Sequence, residues 1–111
     1  MTDVAVPEPI QRFIDTTNRG DSAAFVETFT EDAYLNDWGR GFHGHEGVRS
    51  WDRTDNIGKN SHFELVDVRP ADEPETYVVT LTVAGDGYNG TGPMTFTLRD
   101  GRIAALRISP N

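Results

Sequence analysis

The run Thr76-Tyr77-Val78-Val79-Thr80-Leu81-Thr82-Val83 constrains this chain more than any other feature. Tyr77, Val79, Leu81 and Val83 alternate with Thr76, Val78, Thr80 and Thr82, and successive strand side chains point to opposite faces. The run reads as a half-buried β-strand with one face committed to a core. Downstream, Asp100-Gly101 is a strong signal for a two-residue hairpin turn. Folding the chain there pairs Leu98 with Ile103, Phe96 with Ala105 and Met94 with Arg107 on one face. That face is the more apolar and should meet the helices. The other carries Thr95, Thr97, Arg99, Arg102, Ala104, Leu106 and Ile108. Residues 61–69 form a further strand in which Phe63 and Leu65 compete in phase with Val66 and Val68, a conflict that a bulge would resolve.

The first half reads as helix. Ile10, Phe13, Ile14 and Thr17 share one helical face behind Pro7 and Pro9, since proline is tolerated in a first turn. Gly20 suits the left-handed residue after that helix, and Asp21 can cap a second one with Phe25, Val26 and Phe29 as its buried stripe. A short strand runs from Ala33 to Trp38. A glycine-rich passage (Gly39, Gly41, Gly44, Gly47) follows as loop, and Val48 and Trp51 mark a third helix over roughly residues 45–57. Residues 85–92 form a glycine-rich loop. Helices first and strands after make an α+β domain, and 111 residues suit one domain over 1–111.

Charge and composition narrow the function. The formal net charge is −8 with no cluster of Lys or Arg, so a phosphate backbone or an anionic membrane would be repelled. There is no cysteine, hence no disulfide, thiolate nucleophile or cysteine metal site. Met1 to Glu8 does not read as a signal peptide, so the expected compartment is the cytoplasm. No Walker or Rossmann glycine pattern and no serine nucleophile elbow occurs, and no cofactor is indicated.

Candidate site residues follow from the faces. If Leu35 points into the core, strand parity turns Asp37 the same way. A carboxylate in an apolar cavity has its charged form desolvated, which raises its pKa and makes it a better base near neutral pH. The alternative is a turn aspartate pairing with Arg40. Trp38 and Trp51 are candidate cavity walls, joined by Phe13, Met94 and Phe96 from the inward faces. His43 and His45 form an H-x-H pair with His62 elsewhere, but they lie among glycines with no second motif to fix a metal geometry. His43 is instead a candidate proton donor. Asp52 and Asp55 would supply a second carboxylate if turned inward, although solvent-facing pairing with Arg49 or Arg53 is the expected arrangement. Arg107 shares the inner-face assignment with Met94. Leu106, Ile108 and Ala104, on the face away from the helices, form an apolar surface for a homodimer.

Four segments carry a resemblance to a known family: Ile10-Gln11-Arg12-Phe13-Ile14 through Asp21; Phe29-Thr30-Glu31-Asp32-Ala33; Phe42-His43-Gly44-His45-Glu46-Gly47-Val48-Arg49; and Asp100-Gly101-Arg102-Ile103. Their order and separation resemble the nuclear transport factor 2-like superfamily, above all its SnoaL-like group and the ketosteroid isomerases. The resemblance implies a cone-shaped, curved antiparallel sheet wrapped around three helices, with an apolar cavity inside. It also implies a small-molecule pocket protein, either a cofactor-independent isomerase, cyclase, dehydratase or hydrolase, or a non-catalytic ligand-binding or dimerisation domain. Asp32-Ala33-Tyr34-Leu35-Asn36-Asp37 matches the isomerase segment whose last aspartate is the general base, which puts Asp37 in that role. The two isomerase oxyanion donors fall on Phe13 and near Met94, neither of which can donate, so a ketosteroid isomerase reaction is not expected. His43, Asn36 and Tyr88 are the remaining donor candidates.

Overall fold

The computed structural model describes residues 5–109. Residues 1–4, part of the segment read above for a targeting signal, lie outside the described residues. Helix α1 (Glu8–Asn18) buries Ile10, Phe13, Ile14 and Thr17, the stripe its spacing demands. Gly20, at φ 71°, ends it. The Asp21 carboxylate then accepts from the Ala24 N–H at 3.1 Å and caps α2 (Ser22–Glu27). Phe29 is not part of that helix: the chain turns extended there, and β1 runs Phe29–Asp37.

A tight turn at Trp38-Gly39 leads into β2 (Arg40–His43), so the first part of the glycine-rich passage is a hairpin strand rather than loop. Helix α3 (Gly44–Asp55) and a 3-10 turn (Ile57–Lys59) precede β3 (His62–Pro70), β4 (Thr76–Ala84), β5 (Gly90–Arg99) and β6 (Arg102–Ile108). The curved, unclosed sheet has the order β2-β1-β6-β5-β4-β3. It is mixed. β1 and β6 run parallel, which makes one exception to the antiparallel sheet the resemblance implies. Every other neighbouring pair is antiparallel.

Two bulges decide which side chains face the helices. In β3 the register slips between Leu65 and Asp67, which lets Phe63 and Val68, an odd five positions apart, both turn inward. The second bulge corrects the hairpin expectation. Leu98 faces Ile103 as its turn dictates, but Thr97 faces Ala105 and Phe96 faces Leu106, with Ala104 the extra residue. One inserted residue exchanges the faces of everything after it. Leu106 is therefore in the core, Ile108 packs against it, and Arg107 is exposed. The apolar patch expected to support a dimer through the outer sheet face is lost with them.

The core is a nest of rings. Phe13 stacks on Phe63 with centroids 5.1 Å apart and meets Phe96 edge-on at 5.0 Å. Phe25 touches Phe13 at 5.4 Å and Phe29 at 5.3 Å. Such offset and edge contacts add to simple area burial. Asn18 ties α1 to the sheet, its amide accepting from Phe63 N–H at 2.7 Å and donating to Phe63 C=O at 2.9 Å. Among the described residues no helix is long and apolar enough to cross a membrane.

Candidate functional site

A cavity of about 300 Å³ opens where the ends of β1 and β6 meet α3 and the starts of β3 and β5. That volume suits a small organic molecule. Phe63, Leu81, Val83, Met94 and Ile108 make an apolar floor, and the Trp51 indole makes a wall. Trp38 and Tyr88 stand at the edge, 59% and 58% exposed. Trp38 occupies the first position of the β1–β2 turn at φ 54°, followed by Gly39 at φ 88°. Left-handed backbone is rare for a bulky side chain, and the turn type favours asparagine or glycine at this position.

The polar part of the wall is one connected cluster. Asp37 ends β1 with its side chain 14% exposed. Its Oδ2 accepts from Trp51 Nε1 at 2.9 Å and from Arg40 Nη2 at 2.8 Å. The same Arg40 nitrogen donates to Asp55 Oδ1 at 3.0 Å. Arg40 faces Asp37 because the two-residue turn makes them direct cross-strand partners. Asp55 joins them because it follows Trp51 by four residues, one helical turn along the same face. Burial pushes the Asp55 carboxyl up, but hydrogen bonds from the Arg40 guanidinium and the Thr54 hydroxyl outweigh it and hold the group below its ordinary value. Asp55, through its hydrogen bond above all, raises Arg40. Two carboxylates bridged by a guanidinium beside an apolar floor can orient a polar group of a ligand and exchange protons with it.

Of the residues expected at the site, Asp37, Trp38, Trp51 and Met94 meet around this cavity. Phe13 and Phe96 do not. Both are wholly buried in the ring nest, which fills the space beyond the cavity floor. His43 does not reach the cavity either. It is exposed, its ring 4.7 Å from that of Tyr34, and it borders a separate surface hollow with Phe42 and Arg53. The cause is parity: Tyr34 and His43 are cross-strand partners on the face opposite Leu35. His45 is engaged elsewhere, Nε2 lying 2.8 Å from the Phe29 carbonyl oxygen. Asn36 spends its amide on Tyr34 and the Gly39 N–H. Of the three donor candidates only Tyr88 lines the cavity.

Asp52 departs from expectation in the other direction. It is buried and accepts from Asn56 Nδ2 at 3.1 Å and from Ile57 N–H at 3.4 Å, rather than pairing with Arg49 or Arg53 in solvent. Burial pushes its carboxyl up. It does not line the cavity. Sequence reasoning missed Arg40 as a bridge, and missed Asn56, Lys59 and Ser61, which enter from the turn after α3. What signalled this wall beforehand was the shared parity of Leu35 and Asp37 and the option of an Asp37–Arg40 pairing.

Solved structures share this architecture. A candidate polyketide cyclase from Sinorhizobium meliloti superposes with a TM-score of 0.81 at 26% identity, over 92% of this chain and 94% of its own. A Mycobacterium tuberculosis protein in complex with estradiol-17beta-hemisuccinate gives 0.79 at 17% identity, over 93% and 91%. The Delta 5-3-ketosteroid isomerase of a Mycobacterium species gives 0.77 at 19%, over 93% and 90%. No curated protein sequence matches this chain significantly. The sequence profile of the SnoaL-like domain matches residues 10–106, nearly the whole chain, and it agrees with the helices, the curved sheet and the open cavity. The chain belongs to the SnoaL-like domain family.

Proposed function

We propose that this chain is a single SnoaL-like domain of the cytoplasm that holds a small apolar molecule in its cavity and acts on it by acid–base chemistry through Asp37. One observation carries the reading. An apolar floor and a carboxylate–guanidinium–carboxylate cluster share a single hollow of about 300 Å³. Both hydrogen bonds to Asp37 converge on Oδ2, which leaves Oδ1 for a ligand proton. In an isomerisation Oδ1 would take a proton from one carbon and return it to another. Arg40 and the Trp51 N–H would hold the carboxylate in place, and Asp55 would supply the second carboxyl. Tyr88, which lines the cavity, would donate to negative charge developing on an oxygen. The neighbours that bind or act on steroids and polyketides suggest fused-ring or polyketide-like compounds as first probes.

A second reading is a binder without turnover. Arg40 favours it, because its guanidinium and the Trp51 N–H already hold one oxygen of Asp37 in a fixed structural pairing. Thermal-shift screening against steroid, polyketide-like and terpene compounds would find a ligand, and Asp37→Asn separates the readings. Loss of turnover with binding retained supports catalysis through Asp37. Retained turnover, or a ligand that binds and is never transformed, would leave only the binder.

A further inference from the structure

Asn56 lies just after α3, lines the cavity, and is only 1% exposed. Its backbone is pinned: the N–H donates to Asp52 C=O, and its C=O accepts from the Lys59 and Ser61 N–H groups. The side chain is pinned as well. Nδ2 donates to Thr17 Oγ1 at 3.0 Å and to Asp52 Oδ1 at 3.1 Å. With both Nδ2 protons donated, Oδ1 is the polar atom of the side chain left over. Neither Thr17 nor Asp52 lines the cavity, whereas Asn56 does. The planar amide therefore turns Oδ1 away from those two partners.

Asn56 Oδ1 is buried and has no hydrogen-bond partner among the described residues. Buried acceptors without a partner are uncommon in native interiors and call for a specific occupant. Asp37 and Asp55 cannot serve, because ionised carboxylates have only acceptors to offer. We propose that Asn56 Oδ1 receives a hydroxyl of the cavity's ligand, so that the ligand class is an apolar ring compound carrying an alcohol, phenol or enol group. This rests on the cavity reading above and sharpens it: Asn56 selects for a donor, while the apolar floor selects for the ring.

The test compares naphthol with its methyl ether, which keeps the ring and the oxygen but removes the donated proton. Calorimetric titration of the unaltered protein should find naphthol bound about tenfold more tightly than the ether. The Asn56 side-chain amide resonances should shift with naphthol and stay in place with the ether. In Asn56→Ala the preference should fall to near unity. Should that variant fail to fold, the unaltered protein and its amide signals still decide. Equal affinities in the unaltered protein, or a preference that persists in Asn56→Ala, would overturn the role of Asn56 and leave the cavity reading intact. Binding of neither compound would overturn both.

Discussion

Arg40 bridges Asp37 and Asp55 with one guanidinium, and Asp55 titrates accordingly. With the counter-charge removed in Arg40→Met, burial at Asp55 is opposed only by weaker partners, so its pKa should climb from below the ordinary value. NMR titration of the carboxyl carbons reads this directly. Stability should change little, since half-exposed pairs contribute roughly 1 kcal/mol or less. Because its folded pKa is lowered, Asp55 lends stability above the ordinary carboxylate pKa, and that stability is lost as pH falls through the lowered one. Asp52 has the opposite sign. Its folded pKa is raised, so stability present below the ordinary value is lost as pH rises through the raised value. Asp52→Asn should flatten that step, visible as a smaller fall in melting temperature between acid and neutral pH. No change in the slope would mean that burial does not penalise its charge.

At the scale of elements, the turn between β1 and β2 holds Trp38 in a conformation its side chain disfavours. Strain of this kind persists where the surroundings require it, and the exposed indole stands at the cavity edge. Trp38→Asn restores the preferred Asn-Gly turn and should stabilise the fold by about 1 kcal/mol in denaturant unfolding. Ligand affinity should fall in the same variant. A gain in stability without loss of binding would assign Trp38 no part in the cavity. This turn was not legible from residues alone, since Trp-Gly is no hairpin signal. Asp100-Gly101 was, and both its residues have positive φ. What failed there was the extension of its register beyond Ala104, where a bulge inserts one residue. The capped second helix and the β3 bulge were legible, one from Asp21 and the other from the clash of phase between Phe63 and Val68.

Over the whole molecule the apolar interior divides into a filled end and a hollow end. Phe13 and Phe96 belong to the filled end, Met94 and Trp51 to the hollow one. Phe96→Ala should cost about 3–5 kcal/mol in unfolding free energy. Met94→Ala should cost about 2 kcal/mol, because space already adjoins its side chain, and it should change ligand affinity. Equal destabilisation by the two would argue against this division. Local rules settled much in advance. The alternation in β4, the stripe of α1 and the shared side of Leu35 and Asp37 all depend on backbone periods of a few residues, which any reader of the chain can count. The tertiary structure alone decided that Leu106 and Ile108 face inward, that Phe13 and Phe96 plug rather than line the cavity, and that Asp55 reaches Asp37 through Arg40. Each outcome turns on an inserted residue, or on which distant ring arrives first to fill a volume. Counting along the chain follows local geometry, whereas the filling of space depends on every element at once.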